Sequence, residues 1–212
     1  MTMKKKPSIA CLFVDIGGVL LTNGWDHQSR KRAAARFKLN WTEFENRHHL
    51  HFDTYEQGKL SLEQYLSRVV FHQKRNFTKI QFRNFMFSQS KPFNNMIELM
   101  VRLKALYGLK IIVVSNEGRE LNVYRIKKFE LNRFVDSFIS SSFVHLRKPD
   151  EDIFRLALDV AQTPLRQSVY IENTEAFVKV AEGLGIQSIL HQDYETTREK
   201  LALFGLPGNH HE

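Results

Sequence analysis

Six apolar residues in a row, Ile9-Ala10-Cys11-Leu12-Phe13-Val14, stop at Asp15 and are followed by the glycine pair Gly17-Gly18. An unbroken apolar run of that length fits a strand buried on both faces, and it delivers one carboxylate to the edge of a sheet. Comparable runs over 109–114, 134–140, 168–171 and 187–190 predict four more strands. The segments between them carry helical spacing. In 94–107 the residues Met96, Leu99, Met100, Leu103 and Leu106 fall near one face, and Gly108 ends the pattern. Further helices are predicted over 117–129, 151–161, 176–184 and 194–204, with Pro149 fixing the entry to the second of these. Strands alternating with long helices predict an α/β fold, a Rossmann-like doubly wound parallel sheet.

Residues 29–90 interrupt the alternation. They contain no strand-like run, only aromatic-rich helical patterning that divides into 29–37, 41–52, 61–71 and 78–87. Ser61 with Gln64 three residues later reads as a capping box, and Gly58 breaks the pattern before it. The expected division is therefore a core of 1–23 and 91–212, with an inserted helical subdomain over 24–90.

Composition adds limits. A chain of 212 residues with 42% hydrophobic content can bury a core and an insert without staples. Cys11 is the single cysteine, which excludes an intramolecular disulfide, and its place in the first apolar run predicts a packing role in a reducing compartment. No apolar stretch approaches the ~20 residues of a membrane span. The basic residues 1–7 lack a cleavage pattern, so the expected location is cytoplasmic. The formal charge of +8 invites a nucleic-acid reading, but the basic residues are scattered among acids. A small anionic substrate suits that balance better, with no specific nucleic acid and no membrane as partner; the oligomeric state is left open. The tail 208–212 reads as frayed.

In doubly wound sheets the ligand sits beyond the carboxyl ends of the strands. Asp15, Ser115-Asn116, Lys148 and Glu172-Asn173 all fall there. In this order and spacing they resemble the haloacid dehalogenase (HAD) superfamily of hydrolases, in the branch whose helical cap lies between the first and second motifs. Tyr55-Glu56-Gln57-Gly58-Lys59-Leu60-Ser61 looks like the acidic, glycine-containing stretch of such caps.

The resemblance implies Asp15 as a nucleophile that forms an aspartyl intermediate, and Lys148 as the cation beside it. It also implies Ser115, Asn116 and Gly18 on the phosphate, and Mg²⁺ held by Asp15, the Gly17 carbonyl and Glu172. Arg147 is expected to be a solvated neighbour. Where phosphatases of the family carry a second aspartate as acid and base, this chain has Gly17. Three outcomes follow: a phosphatase for sugar phosphates or similar good leaving groups, a weak or inactive ligand-binding protein, or a dehalogenase. Asp26 and His27, close in sequence, are the expected substitutes for the missing acid. His48, His49 and His51 read as a polar helix face rather than a metal site.

Overall fold

The computed structural model describes residues 9–208. The basic segment 1–7 and the tail 209–212 discussed above lie outside the described residues. The chain runs β1 (Cys11–Val14), α1 (His27–Phe37), α2 (Trp41–His49), α3 (Phe52–Glu56), α4 (Leu62–Val69), α5 (Lys79–Ser88), α6 (Asn94–Tyr107), β2 (Lys110–Ser115), α7 (Arg119–Lys128) and β3 (Ser137–Ser140). It continues through α8 (Ser141–Val144), α9 (Glu151–Ala161), β4 (Ser168–Glu172), α10 (Glu175–Gly183), β5 (Gln187–Leu190) and α11 (Tyr194–Leu203). The five strands form one parallel sheet in the order β3-β2-β1-β4-β5. The chain builds outward from β1 on one side, then returns to build on the other, so the doubly wound topology is as expected and its switch point lies between β1 and β4.

Apolar side chains fill both faces of the sheet. One face, with Leu12, Val14, Ile111 and Val113, packs on Leu99, Met100 and Leu103 of α6. The other, with Cys11, Phe13, Ile112 and Val114, packs on Ile153, Phe154 and Ala157 of α9. Cys11 is fully buried there, and burial pushes its thiol up to about 12, which makes it an inert packing group.

Helices α1 to α5 bury a third cluster around Trp25, Phe44, Tyr65 and Phe82, to which α7 contributes Leu121. Trp25 donates its indole N–H to the Tyr65 hydroxyl at 3.0 Å, and His48 Nδ1 lies 2.8 Å from the same oxygen. Capping explains the boundaries: Asp26 caps α1 by accepting from Ser29 N–H, and the Ser61–Gln64 capping box opens α4 as expected. The helix expected over 41–52 divides at Leu50 into α2 and α3. The two ends of this segment are stitched to each other, Thr22 N–H donating to Lys91 O at 2.9 Å and Leu21 bridging Pro92. Among the described residues no helix is long and apolar enough to cross a membrane.

Candidate active site

Asp15 leaves β1 at the switch point. Its backbone N–H donates to Ile171 O at 3.0 Å, so the ladder with β4 continues through the residue and fixes where its side chain starts. Oδ1 accepts from Ile16 N–H at 2.7 Å, and Oδ2 lies 3.2 Å from Lys148 Nζ. Burial and the neighbouring Glu172 push the carboxyl up to about 6, while Lys148 and the hydrogen-bonded Ser115 hydroxyl pull the other way. Ser115, at the end of β2, therefore sits beside Asp15.

Lys148 is 1% exposed, and its Nζ also reaches Glu172 Oε2 at 2.6 Å and the Tyr170 hydroxyl at 3.1 Å. Burial alone would favour its neutral form; the Asp15 and Glu172 carboxylates overcome that and raise its pKa, so it stays an ammonium. Glu172, fully buried at the end of β4, spends Oε2 on Lys148 and Tyr170 and accepts Thr174 N–H on Oε1 at 2.9 Å. A cation held between two carboxylates thus stands at the floor of a cleft of about 320 Å³, walled by core residues such as Asn116 and Asn173 and by Trp25, Asp26 and Tyr55 from the helical segment.

Four expectations change. Gly18 donates its N–H to Leu21 O at 2.7 Å, closing a tight turn with φ at 78°, so that group is not free for a phosphate. Asn116 spends its amide on the Lys148 backbone, donating to the carbonyl at 2.8 Å and accepting the N–H at 2.9 Å; it positions the lysine's loop instead of a substrate. His27 points away from the cleft, its half-exposed ring edge-on to Trp41 and 3.4 Å from Glu45. Asp26 does line the cleft while capping α1. Arg147, expected in solvent, instead pairs with Asp53 and Glu56 of α3, both at 2.7 Å.

Sequence reasoning passed over Tyr170, Glu117 and Arg125. Tyr170 and Glu172 share a face because strand side chains alternate, so that signal was present. Glu117 follows Asn116 directly and was read as the start of a helix that begins only at Arg119. It forms a buried ion pair with Arg125 at 2.9 Å in the wall of the cleft.

Oxygens that could meet a cation gather beside Asp15 at the exits of β1 and β4. The tip of the Asn173 amide lies 2.9 Å from Gly17 O and 3.0 Å from Glu172 Oε1. At these distances the amide nitrogen donates to both oxygens. An octahedral Mg²⁺, which takes oxygen ligands, would need the amide to turn its oxygen to the same side. Asn173, rather than the doubly engaged Glu172, is the residue of the pair able to turn an oxygen inward.

This is a doubly wound α/β protein with a carboxylate, a hydroxyl and a lysine converging at the switch point of its sheet. A family model for haloacid dehalogenase-like hydrolases matches residues 20–191, and the chain belongs to that family. The match begins after Asp15. In structure the chain is similar to the HAD family enzyme bt-2542 of Bacteroides thetaiotaomicron, with a TM-score of 0.72 at 19% identity over 92% of this chain and 98% of that one. A wild-type form of that enzyme, in complex with magnesium and inorganic phosphate, superposes with a TM-score of 0.68 at 18% identity, over 87% of this chain and 94% of that one. The L-2-haloacid dehalogenase of Xanthobacter autotrophicus, with chloropropionic acid covalently bound, gives 0.59 at 12% identity over 93% and 84%. Among curated proteins, the putative pyrophosphatase PpaX of Caldanaerobacter subterraneus subsp. tengcongensis is 27% identical over 92 residues, 43% of this chain and 41% of that protein.

Proposed function

We propose that the protein is a phosphomonoesterase for a small phosphorylated metabolite with a good leaving group, such as a sugar phosphate, and that Asp15 is its nucleophile. The observation that carries this reading is Lys148, buried between Asp15 and Glu172 at the floor of the cleft. A lysine so placed keeps Asp15 ionised and offsets charge on an incoming phosphoryl group. Ser115 hydrogen-bonds Asp15 and supplies a hydroxyl to a phosphate oxygen. Asn116 holds the Lys148 loop in register. Residues 24–90 act as the cap, with Arg147 tying α3 to the lysine loop.

Asp15, the Gly17 carbonyl and the Asn173 amide oxygen would hold Mg²⁺, with Glu172 beside them. The ion would neutralise phosphoryl oxygens. The pyrophosphatase relative and the phosphate complex of bt-2542 favour phosphorus over carbon as the electrophile.

The test is a panel of phosphorylated metabolites with and without Mg²⁺, with 2-chloropropionate as the control. Turnover of a phosphate ester by the wild type, abolished in a folded Asp15→Asn variant, is the expected result. Chloride release without phosphate release would contradict it, as would a phosphatase activity that survives in Asp15→Asn.

A further inference from the structure

With Asp15 as nucleophile, the leaving oxygen lacks a proton donor, because Gly17 has no side chain. A Cβ built on Gly17 would meet Asn23 Oδ1 at 3.4 Å and Arg125 Nη1 at 4.0 Å. The room a side chain at position 17 would enter therefore opens on Asn23 and the guanidinium. Arg125 Nη1 is in turn 2.9 Å from Glu117 Oε2. The same carboxylate oxygen lies only 2.1 Å from the position of a Cβ on Gly24, so a side chain there would push the Glu117 carboxylate aside. Glu117 thus faces, from the exit of β2, the volume that a residue at position 17 would face from the exit of β1. Both it and Arg125 line the cleft.

We propose that Glu117 is the acid and base of this site, protonating the leaving oxygen and then accepting a proton from the hydrolytic water. The proposal rests on the reading of Asp15 above. In the first half-reaction an Asp15 carboxylate oxygen bonds to phosphorus, the bond from phosphorus to the leaving oxygen breaks, and that oxygen takes the proton of Glu117. In the second, a water oxygen bonds to phosphorus as Glu117 takes its proton, and the bond from phosphorus to Asp15 breaks. Inorganic phosphate, an ionised Asp15 and a protonated Glu117 remain, so the cycle closes without a further reactant.

The surroundings suit a group that both gives and takes a proton. Burial pushes the Glu117 carboxyl up, Arg125 pulls it down and Glu56 of α3 pushes it up again, leaving it at about 7. An acid poised near neutrality serves in both directions. Tyr55 and Glu120 also act on this region, and the buried Tyr55 hydroxyl has no hydrogen-bond partner among the described residues. Arg125 is the positioning residue. Its Nη2 donates to Thr22 O at 2.6 Å, which holds the guanidinium against Glu117 through the cycle.

The experiment compares wild type and Glu117→Gln on p-nitrophenyl phosphate, whose leaving group needs no proton, and on glycerol 2-phosphate, whose alkoxide does. The expected result is a fall in kcat/KM, which reports the first half-reaction alone, of ~10²–10⁴ on the alkyl ester and less than about tenfold on the aryl ester, with hydrolysis of the intermediate slowed for both. Equal falls on both esters, or an alkyl activity that survives, would overturn the assignment of Glu117 alone. An activity on either ester that survives in Asp15→Asn overturns the reading of Asp15 instead. Should the variant fail to fold, the wild-type pH profile decides: the alkyl-to-aryl rate ratio should drop as pH rises through about 7 and Glu117 loses its proton. A ratio independent of pH contradicts the proposal.

Discussion

Lys148 touches Asp15, Glu172 and Tyr170 with a single ammonium, and each contact is replaceable only by another buried cation of the same shape. Lys148→Met should destabilise the fold by about 3–5 kcal/mol, because it leaves two buried carboxylates without their counter-charge. Urea unfolding of the variant measures this, and a loss below 1 kcal/mol on the scale of exposed pairs would refute it. Lys148→Arg should not restore activity, since a planar five-donor fork cannot stand in for a point charge among three acceptors. At this scale the sequence was informative wherever a strand ended. Asp15, Ser115 and Glu172 close apolar runs, and Lys148 stood out by its Lys-Pro-Asp context. It was uninformative about how polar groups are spent. The Gly18 N–H and the Asn116 amide go to backbone partners that only the folded chain brings near, and the direction of His27 is set by where α1 begins.

Helix α3 is the element that joins the helical segment to the core. Arg147 grips its Asp53 and Glu56, and the turn that follows it runs against the backbone of α8. Gly58 there has φ at 69°, and a Cβ on it would lie 2.3 Å from Ser142 O. Gly58→Ala should therefore cost at least ~1–2 kcal/mol from the left-handed conformation alone, with the backbone clash adding to it, visible as a lower Tm. Helix α2 carries the segment's pH sensitivity. Burial, and then Arg30, hold the His48 imidazole down at about 3, whereas its ordinary value is 6.5. Protonation therefore favours the unfolded chain: this contribution to stability is complete above pH 6.5 and declines as pH falls from there toward 3. The raised carboxyls of Asp15 and Glu117 act in the opposite sense over that range, so the comparison between two proteins is the readout: the wild type should lose Tm relative to His48→Gln as pH falls from 6.5 toward 3, and a difference independent of pH would mean His48 is not the group responsible. Helix ends were legible from the capping box at Ser61 and the glycine at 108. The split between α2 and α3 was not, because a continuous helical pattern gives no local sign that tertiary packing will turn it.

Across the whole molecule, the alternation of buried strands and amphipathic helices made the doubly wound sheet readable, and the order β3-β2-β1-β4-β5 puts the exits of β1 and β4 side by side. That adjacency joins Asp15 to Glu172 across 157 residues of sequence and makes one site of motifs that are individually short. Chain order alone did not reveal that Glu117 and Arg125 would fill the wall beside Gly17, since they meet through the way α7 packs beneath the helical segment. The net charge of +8 should draw anionic substrates. Raising ionic strength should lower kcat/KM for a phosphate ester while leaving kcat nearly unchanged, and a salt-independent kcat/KM would show that long-range charge plays no part.

The central claim is that Asp15 takes the phosphoryl group. Mixing the enzyme with a turned-over phosphate ester, quenching in acid during the first turnovers and examining the peptides by mass spectrometry tests it most directly. The account predicts the added mass of one phosphoryl group on Asp15, absent from Asp15→Asn. A phosphoryl group on another residue, or turnover with no adduct under conditions that trap an aspartyl phosphate, would contradict it.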